Sequence, residues 1–148
     1  MELSISQKNA FETYKRGENV FITGPGGSGK SQLIKLIVED AKRNEKNCQV
    51  CALTGCACIL LQCNGKTIHS WAGIGLCSGT IDKIASDISL NKFKRRNWKS
   101  VEILIIDEVS MMSYKLFHAL NLIAKKCRSS TKHFGGIQVI FSGDFHQL

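Results

Sequence analysis

The sequence predicts an α/β fold in which a parallel sheet carries helices on both of its faces. Three observations support this prediction. Short apolar segments rich in β-branched residues alternate along the chain with segments of helical periodicity. A glycine-rich stretch, residues 24–31, separates the first such strand from a helix, and the apolar run 101–106 ends in an acidic pair. Ligands of parallel sheets bind beyond the carboxyl ends of the strands, so both features belong at one edge.

The amino-terminal half predicts a helix, a strand, a second helix and a second strand, in that order. Ser4 or Ser6 can cap a short helix that runs to residue 16. Residues 19–23 have the composition of a buried strand, and residues 49–53 predict the next one. Between these strands, four apolar residues lie at the spacing of one helix face: Leu33, Ile34, Ile37 and Val38.

The carboxyl-terminal half begins with a glycine-rich stretch, residues 67–79, that we expect to be irregular. A helix follows over residues 81–90, and residues 101–106 form a strand buried on both faces. Ser113 begins another helix, and residues 137–141 form the last strand.

A basic run, residues 92–99, lies between the helix 81–90 and the strand 101–106. It contains two aromatic residues, Phe93 and Trp98, among five lysines and arginines. Such a run can hold a nucleic-acid backbone and stack bases on its aromatic rings. It can equally be a solvated loop, and the sequence leaves both interpretations open.

Length and composition indicate one globular domain. A chain of 148 residues can bury most of its apolar surface in a single core. No apolar run approaches the roughly 20 residues of a membrane-spanning helix, and the first residues lack a signal-peptide pattern, so we expect an intracellular protein without a membrane partner. A eukaryotic source would imply the nucleus or the mitochondrion.

The formal charge of +8 favours a polyanionic partner, nucleic acid first, although solubilising surface lysine is an equal alternative.

The seven cysteines raise the question of a zinc site. Cys48 and Cys51 have ligand-like spacing, but no second pair follows at the spacing of a zinc finger, and Cys51 lies in a predicted buried strand. Reduced, mostly buried thiols in a reducing compartment are the preferred interpretation.

Residues 24–31 match the phosphate-loop pattern G-x-x-x-x-G-K-[ST] at every position. The glycines allow successive backbone N–H groups to surround phosphate oxygens, and the helix that follows presents its positive end. Lys30 would reach the β- and γ-phosphates of ATP, and the Ser31 hydroxyl would bind Mg²⁺. The predicted nucleotide-binding residues of the loop are Gly24, Pro25, Gly26, Gly27, Ser28, Gly29, Lys30 and Ser31.

An apolar strand that ends in an acidic pair is the expected partner of a phosphate loop. Asp107 would hold Mg²⁺, mostly through water, and Glu108 would orient and deprotonate the water that attacks the γ-phosphate. Gln147 follows the last strand and can sense the γ-phosphate through a hydrogen bond that is lost on hydrolysis. The predicted catalytic residues are Lys30, Asp107, Glu108 and Gln147.

The sequence resembles the Pif1 family of superfamily 1B DNA helicases over essentially its whole length. The order and spacing of several segments carry the resemblance more than any one of them, the phosphate loop excepted. These segments are residues 3–7, 24–31, 53–57, 67–75, 105–112, 134–138 and 142–148.

The resemblance implies a P-loop NTPase fold of the RecA-like type and gives further residues a role. Gln7 would read the adenine edge of ATP. Thr54, Gly55, His69 and Ser70 would lie on the path of single-stranded DNA, along which such enzymes move from 5′ to 3′. The family usually has phenylalanine where this chain has Trp71, a change that we expect to preserve stacking. The resemblance further implies roles in DNA repair, recombination and telomere maintenance.

We therefore expect residues 1–148 to be one RecA-like helicase domain, domain 1A, without the second RecA-like domain. That domain would supply arginine fingers, worth on the order of a thousandfold or more in rate. On this hypothesis the chain is a monomer that binds MgATP, hydrolyses it slowly and does not unwind DNA alone. Two alternatives are a catalytically silent module that binds DNA or protein, and a small P-loop kinase, for which the sequence offers no arginine-rich lid.

Overall fold

The computed structural model describes residues 3–23, 29–55, 63–75 and 78–143. Within these ranges the helices are α1 (Ile5–Lys15), α2 (Lys30–Arg43), α3 (Ile68–Ala72), α4 (Ile81–Leu90), α5 (Lys92–Ser100) and α6 (Tyr114–Cys127). Two 3₁₀ turns span Val109–Met111 and His133–Gly136. The strands are β1 (Val20–Thr23), β2 (Cys48–Ala52), β3 (Lys66–Thr67), β4 (Ile103–Asp107) and β5 (Gln138–Gly143).

The five strands form one parallel sheet in the order β1-β5-β4-β2-β3. Three registers fix its carboxyl edge: Thr23 lies opposite Gly143, and Asp107 opposite Ala52, while Thr67 pairs with Ala52 from the other side. The predicted α/β class, a parallel sheet with helices on both faces, is confirmed. The carboxyl ends of these five strands therefore lie at the same edge of the sheet.

Two apolar clusters cover the two faces of the sheet. On one face α1 and α2 pack over alternate residues of the strands, among them Ile103, Ile105 and Ile140. On the other face α3 to α6 pack over the intervening residues, among them Leu104, Ile106 and Val139. Strand β4 supplies side chains to both clusters, and four of its five residues are buried. This double burial explains why its sequence is a continuous apolar run.

The helix α1 begins as its sequence predicts. The Ser4 hydroxyl accepts a hydrogen bond from the N–H of Gln7, and the Gln7 side chain accepts one from the N–H of Ser4 at 2.8 Å. This reciprocal pair is a capping box, which satisfies two N–H groups that the helix itself leaves free. Farther along α1, the Tyr14 hydroxyl donates to the Asp40 carboxylate of α2 at 2.8 Å and joins the two helices.

The structure corrects the prediction for residues 67–79. These residues were expected to be irregular, but the stretch begins with the end of β3 and the short helix α3. The Thr67 hydroxyl accepts a hydrogen bond from the N–H of Ser70, and Gly73 ends α3 with φ of +79°. A glycine suits that position because other residues adopt this left-handed conformation at a cost.

The basic run 92–99 is also not a loop. It forms α5, which Asn91 caps by accepting hydrogen bonds from two backbone N–H groups at 3.0 and 3.1 Å. Trp98 is fully buried, so its ring cannot stack on a base, whereas Phe93 is 80% exposed. Trp71 is buried as well and packs on Trp98 with ring centroids 4.7 Å apart. The stacking expected of Trp71 is therefore within the core.

Polar contacts of α5 fix the end of α3. The Asn97 amide donates to the Trp71 carbonyl at 3.0 Å, and the Trp98 indole N–H donates to the Ala72 carbonyl at 3.2 Å. At this same carboxyl-terminal end of α5, the Arg128 guanidinium donates to the carbonyls of Trp98, Lys99 and Val101 at 3.0–3.2 Å. These contacts satisfy carbonyls that a helix end leaves without a partner.

The described cysteines lie in apolar surroundings: Cys51 and Cys127 belong to the core, and Cys48 and Cys63 pack against it. Burial raises the pKa of the Cys48 thiol to about 12, and the neighbouring Cys63 acts in the same direction. Within the described ranges, no three His, Cys, Asp or Glu side chains come together as metal ligands do. Cys56 and Cys58 lie outside these ranges. Among the described helices, none combines the length and the apolar character that crossing a membrane requires.

Candidate active site

The carboxyl edge of the sheet brings the predicted catalytic elements together. Strand β1 ends at Thr23 and leads towards α2, while β4 ends at Asp107. Strand β5 lies between them, so one strand separates the phosphate loop from the acidic pair. This is the edge at which open parallel sheets bind their ligands.

The start of α2 presents the last residues of the phosphate loop. Gly29 has φ of +89° and precedes Lys30 and Ser31, the first two residues of the helix. Lys30 is half-buried and Ser31 is exposed. The amino-terminal end of a 14-residue helix, with a lysine and a hydroxyl beside it, can bind a phosphate. The other predicted loop residues, Gly24 to Ser28, lie outside the described residues.

Gln7 lies against the phosphate loop. A Cβ atom built on Gly29 would collide with Nε2 of Gln7, so the Gln7 side chain occupies the space over that glycine. Its Oε1 atom is held by the capping box of α1. The predicted adenine-binding glutamine is thus oriented by its own helix and placed next to the loop. Its contact with adenine stays a prediction.

The acidic pair has an unusual backbone. Glu108 adopts φ of +61° and ψ of 35°, the left-handed conformation that is uncommon for a glutamate. Its N–H donates to Oδ1 of Asp107 at 2.8 Å, and both side chains are half-buried. Such a conformation costs of order 1–3 kcal/mol and persists only where its surroundings enforce it.

Thr54 supplies a large part of those surroundings. Its N–H donates to Oε1 of Glu108 at 2.9 Å, and its hydroxyl lies 3.1 Å from Oε1 and 3.2 Å from Oε2. Thr54 follows β2 and Glu108 follows β4, and the pairing of Ala52 with Asp107 brings the two together. The sequence analysis predicted Thr54 on the DNA path but missed this contact with the catalytic pair.

The other predicted DNA-binding residues lie on the same side of the sheet. Gly55 and Ser70 are exposed, and His69 is half-buried. His69 and Ser70 belong to α3, which follows β3 directly. Since β3 pairs with β2, the structure brings these residues and Thr54 to neighbouring strand ends, away from Lys30.

The end of β5 approaches the acidic pair closely. A Cβ atom on Gly143 would lie 3.0 Å from Cγ2 of Val109 and 3.3 Å from the N–H nitrogen of Ser110, so only a glycine fits without displacement. Ser142, next to it, is fully buried, and its hydroxyl has no hydrogen-bond partner among the described residues. The predicted sensor Gln147 lies outside those residues.

The described residues fit a nucleotide and Mg²⁺. The Gln7 side chain occupies the place where a Cβ atom of residue 29 would lie, and the start of α2 can receive phosphate oxygens. The Ser31 hydroxyl and the Asp107 carboxylate are oxygen donors, the type that Mg²⁺ prefers. The unpartnered Ser142 hydroxyl adds a polar atom at the strand end between the loop and the acidic pair.

Comparison with known proteins decides the family. The model of the PIF1-like helicase family matches residues 2–148. This chain belongs to the PIF1-like helicase family. The ATP-dependent DNA helicase PIF1 of Saccharomyces cerevisiae (strain YJM789) is 40% identical over 150 residues, which cover 99% of this chain and 17% of the yeast protein.

Solved Pif1 structures have the same fold. The crystal structure of Pif1 helicase from Candida albicans is 38% identical and superposes with a TM-score of 0.90, covering 100% of this chain and 34% of that one. Pif1 from Bacteroides, in complex with ADP-AlF3 and single-stranded DNA, is 30% identical with a TM-score of 0.81, covering 100% and 33%. The predicted RecA-like fold is confirmed, and the chain spans about a third of these crystallised chains but only 17% and 16% of the curated PIF1 relatives from Saccharomyces cerevisiae and Candida albicans.

Proposed function

We propose that this chain is the ATP-hydrolysing motor domain, RecA-like domain 1A, of a Pif1-like helicase that moves along single-stranded DNA from 5′ to 3′. The observation that carries the proposal is the placement of Asp107 and Glu108 at the end of β4, on the strand edge that also receives Lys30. Membership of the PIF1-like helicase family and the nucleotide and DNA bound to the Bacteroides relative support it.

In the proposed reaction, a water oxygen attacks the γ-phosphorus while the bond from that phosphorus to the β–γ bridging oxygen breaks. ADP leaves with that electron pair, and Glu108 accepts the proton of the water. Lys30 neutralises charge on the β- and γ-phosphate oxygens. Ser31 and Asp107 would hold Mg²⁺, which when bound supplies further positive charge to the phosphates.

The proposed partners are single-stranded DNA and a second RecA-like domain. Thr54, Gly55, His69 and Ser70 would contact the DNA backbone, and the net charge of +8 favours such a partner. The second domain would supply arginine fingers, so we expect this chain, as a monomer, to hydrolyse ATP slowly and not to unwind DNA by itself. We also propose an intracellular location, in agreement with the reduced, buried thiols.

The test is steady-state ATP hydrolysis with Mg²⁺, with and without single-stranded DNA, comparing the chain with Lys30→Ala. Turnover that rises with DNA and vanishes in the variant supports the proposal. Binding of MgATP is titrated in parallel, because binding without turnover indicates a competent half-site that needs its second domain. Salt-sensitive DNA binding with neither MgATP binding nor turnover would instead favour a silent DNA-binding module.

A further inference from the structure

Two residues assigned to different ligands share one contact in this fold. Thr54 is a candidate for DNA, and Glu108 is the candidate base for ATP hydrolysis. The backbone N–H and the hydroxyl of Thr54 both donate to the Glu108 carboxylate, at 2.9 and 3.1 Å. We propose that Thr54 is a positioning residue that holds Glu108 in a resting orientation, and that single-stranded DNA releases Glu108 by taking the Thr54 donors.

Thr54 cannot bind Glu108 and DNA through the same donor groups at the same time. A threonine offers one N–H and one hydroxyl hydrogen, and Glu108 accepts both. The same two groups are those with which a residue of this type binds a DNA phosphate oxygen. A phosphate and the Glu108 carboxylate therefore compete for the same hydrogens, and their negative charges repel each other when both are near.

The contact with Thr54 also limits what the Glu108 carboxylate, the acceptor of these hydrogen bonds, can do in catalysis. Two donor groups of Thr54 contact the Glu108 carboxylate, and the hydroxyl lies within 3.2 Å of both oxygens, so Thr54 fixes the direction in which the carboxylate points. A general base must turn a free lone pair towards the attacking water. Glu108 also has left-handed backbone angles, with φ of +61°, so the resting position is a conformation that a glutamate leaves readily once its partner is gone.

The inference rests on the proposed function, because it gives that ATPase site its response to DNA. It predicts reciprocal effects: DNA activates Glu108, and removal of the Glu108 carboxylate frees Thr54 for DNA. A linkage between two ligands must act in both directions when it is measured as binding. Affinity for DNA therefore tests the inference without any measurement of turnover.

The binding experiment uses the chain without nucleotide and a single-stranded oligothymidylate as the probe. We expect Glu108→Ala to bind the probe several-fold to about tenfold more tightly than the unchanged chain, the range of one ordinary net hydrogen bond. In the Thr54→Val background, which keeps the N–H donor but lacks the hydroxyl, this gain shrinks. Asp107→Asn is the matched control: it removes a neighbouring negative charge that does not touch Thr54, and it leaves affinity much less changed.

Kinetics provide the second arm. Thr54→Val keeps the N–H but loses the hydroxyl, so its DNA-independent turnover should rise up to about tenfold, and its stimulation by DNA should shrink correspondingly. Thr54→Ser keeps both donors and should restore the stimulation by DNA that Thr54→Val loses. Thermal melts of each variant establish that the fold is retained.

Three results would overturn the inference. Equal tightening in Asp107→Asn and Glu108→Ala would assign the gain to charge alone. Unchanged affinity in Glu108→Ala, with normal DNA binding by the unchanged chain, would refute the exclusive contact but leave the proposed function intact. Absence of any binding of the oligothymidylate would overturn the proposed function and this inference together.

Discussion

Replacement of Trp98 by phenylalanine tests whether the basic helix α5 holds in place α3, the helix that we propose to contact DNA. The indole N–H donates to the Ala72 carbonyl at 3.2 Å within the core. Loss of that donor leaves a buried acceptor without a partner, which costs about 1–3 kcal/mol. The smaller ring also leaves a cavity beside Trp71, worth about 1 kcal/mol more. We expect Trp98→Phe to lower the free energy of unfolding by about 2–4 kcal/mol.

The assay is urea unfolding of the chain followed by circular dichroism. Phe93→Ala is the matched control, because Phe93 lies on the same helix but is 80% exposed, and it should cost less than about 1 kcal/mol. Binding of single-stranded DNA should weaken in Trp98→Phe, since α3 carries His69 and Ser70, whereas binding of MgATP should not change. A loss below 1 kcal/mol, or an equal loss in Phe93→Ala, would refute this reasoning.

Three further predictions concern stability. Gly135→Ala should cost about 2–4 kcal/mol, because its φ is +61° and a Cβ atom would lie 2.6 Å from the Ala124 carbonyl oxygen; Gly17→Ala, at φ of +81° in open space, should cost about 1–2 kcal/mol in the same thermal melts. Arg128→Ala should cost about 2–3 kcal/mol in urea unfolding, because three carbonyls at the end of α5 lose their donor. The free energy of unfolding should fall as pH rises above 9, because burial raises the pKa of the Cys48 thiol to about 12. Cys48→Ala should make this dependence less steep between pH 8 and 10.5, while Cys63 and Cys127, whose pKa burial also raises, retain their share of it.

Each of these has a distinct refutation, and a pH dependence that Cys48→Ala leaves unchanged would refute the last. Equal costs for the two glycine substitutions would show that the contact at Gly135 contributes nothing beyond backbone strain. Unchanged stability in Arg128→Ala would mean that water satisfies the carbonyls as well as the guanidinium does. The sign of the pH effect follows from a thiol that is neutral in the fold and ionises more easily when unfolded. Its contribution is complete below the unfolded pKa and is lost as pH rises towards the folded one.

Local signals made much of the fold predictable. The apolar run that became β4 ends in Asp107 as expected, because burial on both faces demands an uninterrupted series of apolar residues. Ser4 and Ser113 cap helices at the predicted positions, because a serine hydroxyl can accept a hydrogen bond from the first turn of the helix that follows it. The phosphate loop was recognised for the same reason: all of its chemistry lies within eight consecutive residues.

The errors share a physical cause in tertiary contacts. Helix α3 has only five residues between the Thr67 cap and Gly73, and Asn97 and Trp98 fix its end from a segment 26 residues away. Helix α5 was hidden because its lysines and arginines mask a single buried residue, Trp98. One local signal was available: Asn91 is a good capping residue, and it does cap the helix. The contact of Thr54 with Glu108 spans 54 residues, and only the strand order brings it about.

Strand β4 lies between the two halves of the site and contributes side chains to the apolar clusters on both faces of the sheet. Its Ile103 and Ile105 face the cluster of α1 and α2, which carries Lys30, while Leu104 and Ile106 face the cluster that includes α3. A change in packing on either face of the sheet therefore affects the same strand, which leads into the acidic pair. The Thr54 contact adds a direct path from the DNA-facing side to Glu108. On the proposed function, one glutamate would respond to DNA on one side of the sheet and serve ATP on the other.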